Sequence, residues 1–312
     1  MPGLGFDQQD VVCRRRQDIR LSVVIPLVNS IDDLRGCLNA LRLQQGADVE
    51  IIVVDRLGNA VRGALAREFP EVILVPMASD ATIPKMRAKG FERATSDSVG
   101  VIEDHVLVPP DWAKKLLDAV GAGADVAGGP IENAAVETKI DWAAFLCEYS
   151  ACLPPLPGGE STWLPGNNIV YRRALLEKYK NVIDQGKWEN HLHDVMRADG
   201  VKLIMLPDLI VSHKMHYTFN LYMSQRYLYA RSYAGARVAG KPMLIRVVYG
   251  AAAFVLPVLM FHRTLSQILA KGRHLDRLWP SIPMLIAFVL SWGAGEVVGY
   301  WFGPGKSLSE VR

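Results

Sequence analysis

The sequence has no CxxC pair, no His/Cys cluster with zinc-ligand spacing, no internal repeat and no low-complexity tract. Its four cysteines, Cys13, Cys37, Cys147 and Cys152, are scattered, which points away from a zinc site and toward reduced thiols in a cytosolic compartment. Neither sign of charge dominates. The 35 Lys and Arg against 32 Asp and Glu leave +3, too small a balance to indicate nucleic acid. The opening MPGLGFDQQD carries no apolar stretch, so a secretory signal is not expected. Disorder is excluded, because half of the 312 residues are hydrophobic and only 21% are charged. That length allows about two domains, or one catalytic domain with an appendage.

Mean hydropathy is +0.13, somewhat high for a soluble enzyme, so the apolar excess must be concentrated somewhere. It lies near the end, in residues 242–261 (PMLIRVVYGAAAFVLPVLMF) and 279–303 (WPSIPMLIAFVLSWGAGEVVGYWFG), with a basic stretch at 262–277 between them. Each run has about 20 residues, enough for a helix to cross roughly 30 Å of hydrocarbon. Arg246 near the start of the first run is expected to snorkel to the interface, and Pro257 interrupts that run. Trp279, Tyr300 and Trp301 suit a membrane boundary. The expectation is two transmembrane or membrane-embedded helices over residues 242–304. A hairpin that enters and returns without crossing is one form of it.

The earlier part follows a different pattern. Residues 21–27 (LSVVIPL), 49–55 (VEIIVVD), 72–75 and 98–103 are short apolar runs rich in β-branched residues. Helical spacing separates them at 32–44, 84–94 and 111–120, the last behind Pro109 and Pro110. Alternating strands and helices imply an α/β, Rossmann-like, doubly wound and mainly parallel sheet covered on both faces. Ligands bind such sheets at the carboxyl ends of the strands. The Pro/Gly-rich segment 153–162 reads as a loop near that edge.

Two acidic features stand at strand ends. Asp55 closes a wholly apolar strand interior, where a carboxylate must be solvated or bound. Glu103 and Asp104 follow VGVI and precede His105. Two adjacent acids repel each other, and a divalent cation or a basic partner relieves that. Oxygen ligands beside an imidazole suit Mn2+ or Mg2+ bridging phosphates. Further on come GGP at 128–130, LPGNNIVYRR at 164–173 and KWENHLHDVMRADGVKLIMLPDLIVSHK at 187–214.

Taken in order from Pro26 to His213, these parts resemble the family 2 glycosyltransferases, inverting enzymes of the GT-A fold. The resemblance implies a nucleotide-sugar donor, with a UDP-sugar favoured. Pro26 and Asp55 would lie against the base, Arg87 would face the donor, and Glu103 and Asp104 would contact the diphosphate. Asp104, with His105 and His213, would hold Mn2+ or Mg2+. The family's Asp-x-Asp is here Glu-Asp-His, one carboxylate fewer. Glu189 falls on the family's general base, with Asn190 in place of the second acid, so His191 or Asp194 are the alternatives. Asn167 and Asn168 would line the acceptor pocket.

The basic and aromatic run YMSQRYLYARSYAGAR at 222–237 precedes the apolar tail and suits a helix at lipid headgroups, for which +3 of net charge leaves no nucleic-acid reading. The expected divisions are an N-terminal extension (1–20), a GT-A catalytic domain (21–218), an amphipathic interfacial segment (219–241), the apolar helices (242–304) and a tail (305–312). The function expected is inverting sugar transfer to a membrane-associated acceptor, polyprenyl-linked or another lipid or glycan, at the cytoplasmic face of the cell membrane. Two alternatives stand beside it. One is nucleotide transfer, which the glycine-free LVNSIDDL after Pro26 disfavours. The other is a non-catalytic GT-A-like membrane scaffold.

Overall fold

The computed structural model describes residues 20–311. Cys13 and the expected N-terminal extension up to residue 19 lie outside that range. The chain begins β1 (Arg20–Leu27), α1 (Ile31–Arg42), β2 (Asp48–Asp55), α2 (Asn59–Glu68), β3 (Ile73–Pro76), α3 (Ile83–Arg93) and β4 (Ser98–Ile102). Every residue of β4 and the last five of β2 are buried, which is why these strands read as unbroken apolar runs. Ser30 caps α1 by accepting from the Asp33 amide, and Leu34, Cys37, Leu38 and Leu41 form its buried stripe. Thr82 caps α3, with Pro84 in the first turn. Helix α2 was not expected. It buries only Leu65, too little to leave a periodic apolar signal.

There follow β5 (Val106–Leu107), α4 (Trp112–Gly121), β6 (Val126–Gly128), β7 (Ile131–Asn133), α5 (Lys139–Tyr149), β8 (Gly159–Ser161) and β9 (Asn168–Arg172). Next are α6 (Arg173–Lys178), α7 (Lys180–Ile183), α8 (Glu189–Ala198), β10 (Leu203–Met205) and β11 (Val211–His213). The main sheet runs β3-β2-β1-β4-β9-β6-β10-β8, with β3, β2, β1 and β4 mutually parallel and β9 and β8 reversed. A small sheet, β5-β11-β7, stands apart. Strand order reverses at β1, between β2 and β4, so the ligand-binding crevice of a wound sheet falls at the ends of β1 and β4. Segment 153–162 is not wholly a loop. Gly159–Ser161 pairs with β10 as the far edge strand.

The tail consists of α9 (Phe219–Arg237), α10 (Met243–Ala252), a 3-10 turn (Ala253–Val255), α11 (Leu256–Lys271), α12 (Leu275–Phe302) and α13 (Ser307–Glu310). Pro257 sits in the first turn of α11, where its missing N–H costs nothing, and so marks the break from α10. Two expectations change here. Arg246 does not snorkel; it donates to the Tyr300 and Trp301 carbonyls and closes the end of α12. The expected interfacial segment is not a free surface helix. Tyr222, Gln225, Arg226, Ala230, Ser232, Ala234 and Gly235 are buried, and α9 is clamped along α12. Gly295 and Gly299 permit that approach, since a Cβ on Gly299 would lie 2.6 Å from the Arg231 carbonyl oxygen.

Candidate active site

The two strand-end aspartates are both fully buried, and both are engaged within the chain. The Asp55 carboxylate accepts from the Leu57 and Gly58 amides at 2.8 and 3.3 Å and from Arg62 Nε at 2.5 Å. It therefore holds the turn after β2. Asp104 accepts from the Val28 and Asn29 amides at 2.8 and 2.9 Å, from Asn29 Nδ2 at 2.8 Å, and faces His105 Nδ1 at 2.9 Å. It ties the end of β4 to the end of β1 across the switch point. Asp104 lines the same cavity as Glu103 and His213, and these four partners occupy its acceptor positions.

Glu103 meets the other ring nitrogen of His105. Its Oε2 lies 3.4 Å from His105 Nε2 and 3.8 Å from His213 Nε2. The two Nε2 atoms are 2.7 Å apart, so one of them carries the shared hydrogen. Ligand atoms of Glu103, His105 and His213 all lie within 4.8 Å of one another. One carboxylate and two imidazoles on adjacent, sheet-anchored positions form a donor set that fits a divalent ion such as Mn2+. Burial opposes charge on His105, but hydrogen bonds to Asp104 and Glu103 outweigh it and raise its pKa to about 10. Burial, then the charge on His105, holds His213 well below the usual imidazole range. Burial would raise Glu103, yet its hydrogen bond to His105 and the charges of His105, His213 and Arg87 bring it down to about 2.

Arg87 connects this cluster to Glu189. It is 6% exposed, its Nη1 donates to Glu189 Oε2 at 2.6 Å, and its Nη2 stands 4.0 Å from Glu103 Oε1. Burial opposes its charge, and the carboxylates of Glu189 and Glu103 more than restore it. Glu189 is the first residue of α8, and Gly166 leaves the room its carboxylate occupies. Two cavities meet at the Arg87–Glu103 pair. One is lined by Pro26, Val28, Glu103, Asp104, His105, His213 and the α9 side chain Arg226, among others. The second is lined by Arg87, Gly166, Trp188, Glu189 and His191, among others. Asp194 faces a separate outer groove.

Asn167 donates to Glu103 Oε2 at 2.8 Å and to the Tyr149 hydroxyl at 3.1 Å, so it steadies the triad. Asn168 differs from expectation. It is fully buried, donates to the Pro130 and Leu209 carbonyls and accepts from Trp112 Nε1, and so joins β9 to the core instead of facing a cavity. Sequence reasoning missed Tyr149, Glu148 and Arg226 in the first cavity. Arg226 is buried, stacks 4.1 Å over Trp292, and its Nε has no hydrogen-bond partner. Its signal was the Arg/Tyr run at 222–237, assigned to headgroups.

Residues 22–180 match the profile of Glycosyl transferase family 2. The uncharacterized glycosyltransferase YibD of Escherichia coli (strain K12) is 30% identical over 131 residues, 40% of this chain and 38% of that protein. A dolichol-phosphate mannosyltransferase of Pyrococcus furiosus is 27% identical over 128 residues, 37% of this chain and 36% of that protein. The chain thus spans little more than a third of the length of these curated relatives. Among solved structures, mannosyltransferase PcManGT from Pyrobaculum calidifontis, in complex with GDP-Man and Mn2+, superposes with a TM-score of 0.52 at 15% identity. That match covers 89% of this chain and 86% of that one, and the likeness is one of fold.

Proposed function

The chain belongs to glycosyl transferase family 2, and from that premise we propose that it is an inverting glycosyltransferase that moves a sugar from a nucleoside-diphosphate sugar to a membrane-associated acceptor. The observation that carries this reading is the meeting of Glu103 and Glu189 on one guanidinium, Arg87, with His105 and His213 against Glu103. Glu103, His105 and His213 would hold Mn2+ or Mg2+, which neutralises charge on the donor diphosphate. Arg226, on the opposite wall of the same cavity, adds positive charge toward those phosphates. Asp55 acts on the base through the turn and the Arg62 it holds, and Pro26 lies beneath. A UDP-sugar is favoured as donor; the GDP-Man of the archaeal neighbour makes GDP-sugars the comparison.

Glu189 accepts the proton of the attacking hydroxyl. Arg87 holds its carboxylate in place at the second cavity. A single displacement from the face opposite the diphosphate inverts the anomeric carbon. The two long apolar helices support an acceptor held at a membrane, such as a polyprenyl-linked saccharide, with the catalytic domain on the cytoplasmic side. The name of the Pyrococcus relative agrees with a lipid-phosphate acceptor.

Hydrolysis of a panel of UDP- and GDP-sugars by the purified full chain, with Mn2+ or with EDTA, tests this. One donor is expected to turn over with Mn2+ and to cease in EDTA. Glu189→Gln is expected to lose transfer by about 10³-fold while still binding donor. Undiminished transfer in Glu189→Gln moves the base to His191. A second reading, a binding module without turnover, draws on the inward engagement of Asp55 and Asp104. Nucleotide binding with no hydrolysis of any donor would favour it.

A further inference from the structure

The two apolar helical segments, residues 243–271 and α12, are long enough to cross a bilayer. Their attachments forbid it. The turn between them is fastened to the catalytic domain. Lys271 Nζ donates to the Ser150, Ala151 and Leu153 carbonyls behind α5, and Arg273 and His274 pair with Glu132 of β7 at 2.7 and 3.0 Å. The opposite end of α12 is fastened to the same body. Tyr300 meets Arg237 of α9, and Arg231 donates to the Gly303 carbonyl. The chain then continues to Arg56, beside Asp55, where the Ser309 and Val311 carbonyls accept from its guanidinium. Between these ends Phe288 packs on Tyr222, and Ser291 donates to the Met223 carbonyl. A helix held at both ends and its middle by one polar domain cannot put those ends on opposite sides of a membrane without drawing that domain into hydrocarbon.

What remains open is one face. Met243, Leu244, Val247, Val248, Phe254, Val255, Val258 and Leu259 are all exposed, and only 11% of the most apolar stretch of the first segment is buried, against 44% for α12. The one charge among them, Arg246, is turned inward onto α12. Residues 238–275 contain no Asp or Glu, and of their cations Arg246, Lys271 and Arg273 are engaged within the chain, which leaves Lys241 and Arg263 exposed beside that face. A second copy docking face to face would set that acid-free, cationic surface against itself. A bilayer with anionic headgroups complements it, apolar to apolar and cation to anion.

We propose that the 243–259 face seats in a single leaflet of an anionic membrane, parallel to its plane, and that neither apolar helix crosses. This deepens the membrane half of the function proposed above and rests on it. Purified full chain, added to preformed sealed vesicles, is expected to float with phosphatidylglycerol vesicles and to do so at least tenfold less with phosphatidylcholine alone. The double variant Leu244→Glu with Val258→Glu is expected to lose flotation tenfold or more with an unchanged melting temperature, because both side chains are already exposed. With Cys13→Ser and Cys152→Ser in place, the D276C thiol next to the turn is expected to react fully with a membrane-impermeant maleimide added outside.

Labelling only after vesicles are permeabilised would mean that the helices cross. Absence of flotation together with a concentration-dependent dimer in light scattering would assign the face to a second copy. Either result overturns the proposal. Donor hydrolysis on the same preparation keeps the two readings apart. A chain that hydrolyses donor without floating loses only the leaflet; one that floats without hydrolysis loses only the catalytic reading.

Discussion

Neighbouring acids at the end of β4 do opposite jobs. Both lie in the turn that follows the strand and both line the same cavity, but Asp104 is taken up in holding Val28 and Asn29 while Glu103 stands against two imidazoles. Their variants should separate. Glu103→Gln is expected to weaken Mn2+ binding and turnover by about 10- to 100-fold with little change in stability. Asp104→Asn presents an amide to two backbone donors and is expected to destabilise the fold by roughly 3 kcal/mol. Calorimetric Mn2+ titration and thermal melts of both variants check the pair, and a stable Asp104→Asn that binds no metal would reverse the assignment. His193 offers a pH test away from the triad. It is buried beside Tyr171, 2.8 Å from the hydroxyl, and burial lowers its pKa from 6.5 to about 4. The unfolded chain takes up this proton below pH 6.5, whereas the folded chain does not until about pH 4. Its contribution is therefore complete above pH 6.5 and is lost as pH falls toward 4, about 3 kcal/mol in all. Denaturant unfolding across that window is expected to show a shallower decline for His193→Gln.

At the scale of elements, the contact between α9 and α12 decides whether the cleft has a wall. The helices run parallel, Met223 beside Ser291, Arg226 beside Trp292 and Arg231 beside Gly299. Gly299→Val drives a branched side chain into the Arg231 carbonyl and is expected to cost about 2 kcal/mol, or roughly 5 °C in thermal midpoint. Ala294→Val, on the exposed side of the same helix, is expected to change the midpoint little. Equal midpoints for the two would show that the pair is loosely packed. The other elements trace to local causes already described. The strands were legible because both their faces are buried, and the capped helices because Ser30 and Thr82 precede apolar stripes. Helix α2 left no trace because one buried leucine sets no period.

Across the whole molecule, the order of strand-end residues was legible and their directions were not. Sequence placed Asp55 and Asp104 at one rim because strand ends in a wound sheet converge, and the family resemblance added Glu189 to the same cleft. It could not tell which acid is taken up by the Val28 and Asn29 amides, since those partners come from a distant part of the chain. Nor could it distinguish Arg and Tyr meant for headgroups from Arg and Tyr meant for an interior wall, because the same amphiphilic side chains serve both. Hence α9 was expected outside and is found between the cavity of Glu103 and His105 and the apolar hairpin.

That position has a consequence for dissection. A chain cut after Tyr217 would retain every strand, both imidazoles and Glu189, yet it would lose the ceiling that Arg226 and its neighbours form over them. The greasy end of this protein is thus not a detachable tether. Trimming it for solubility would unroof the cavity that Glu103, His105 and His213 line.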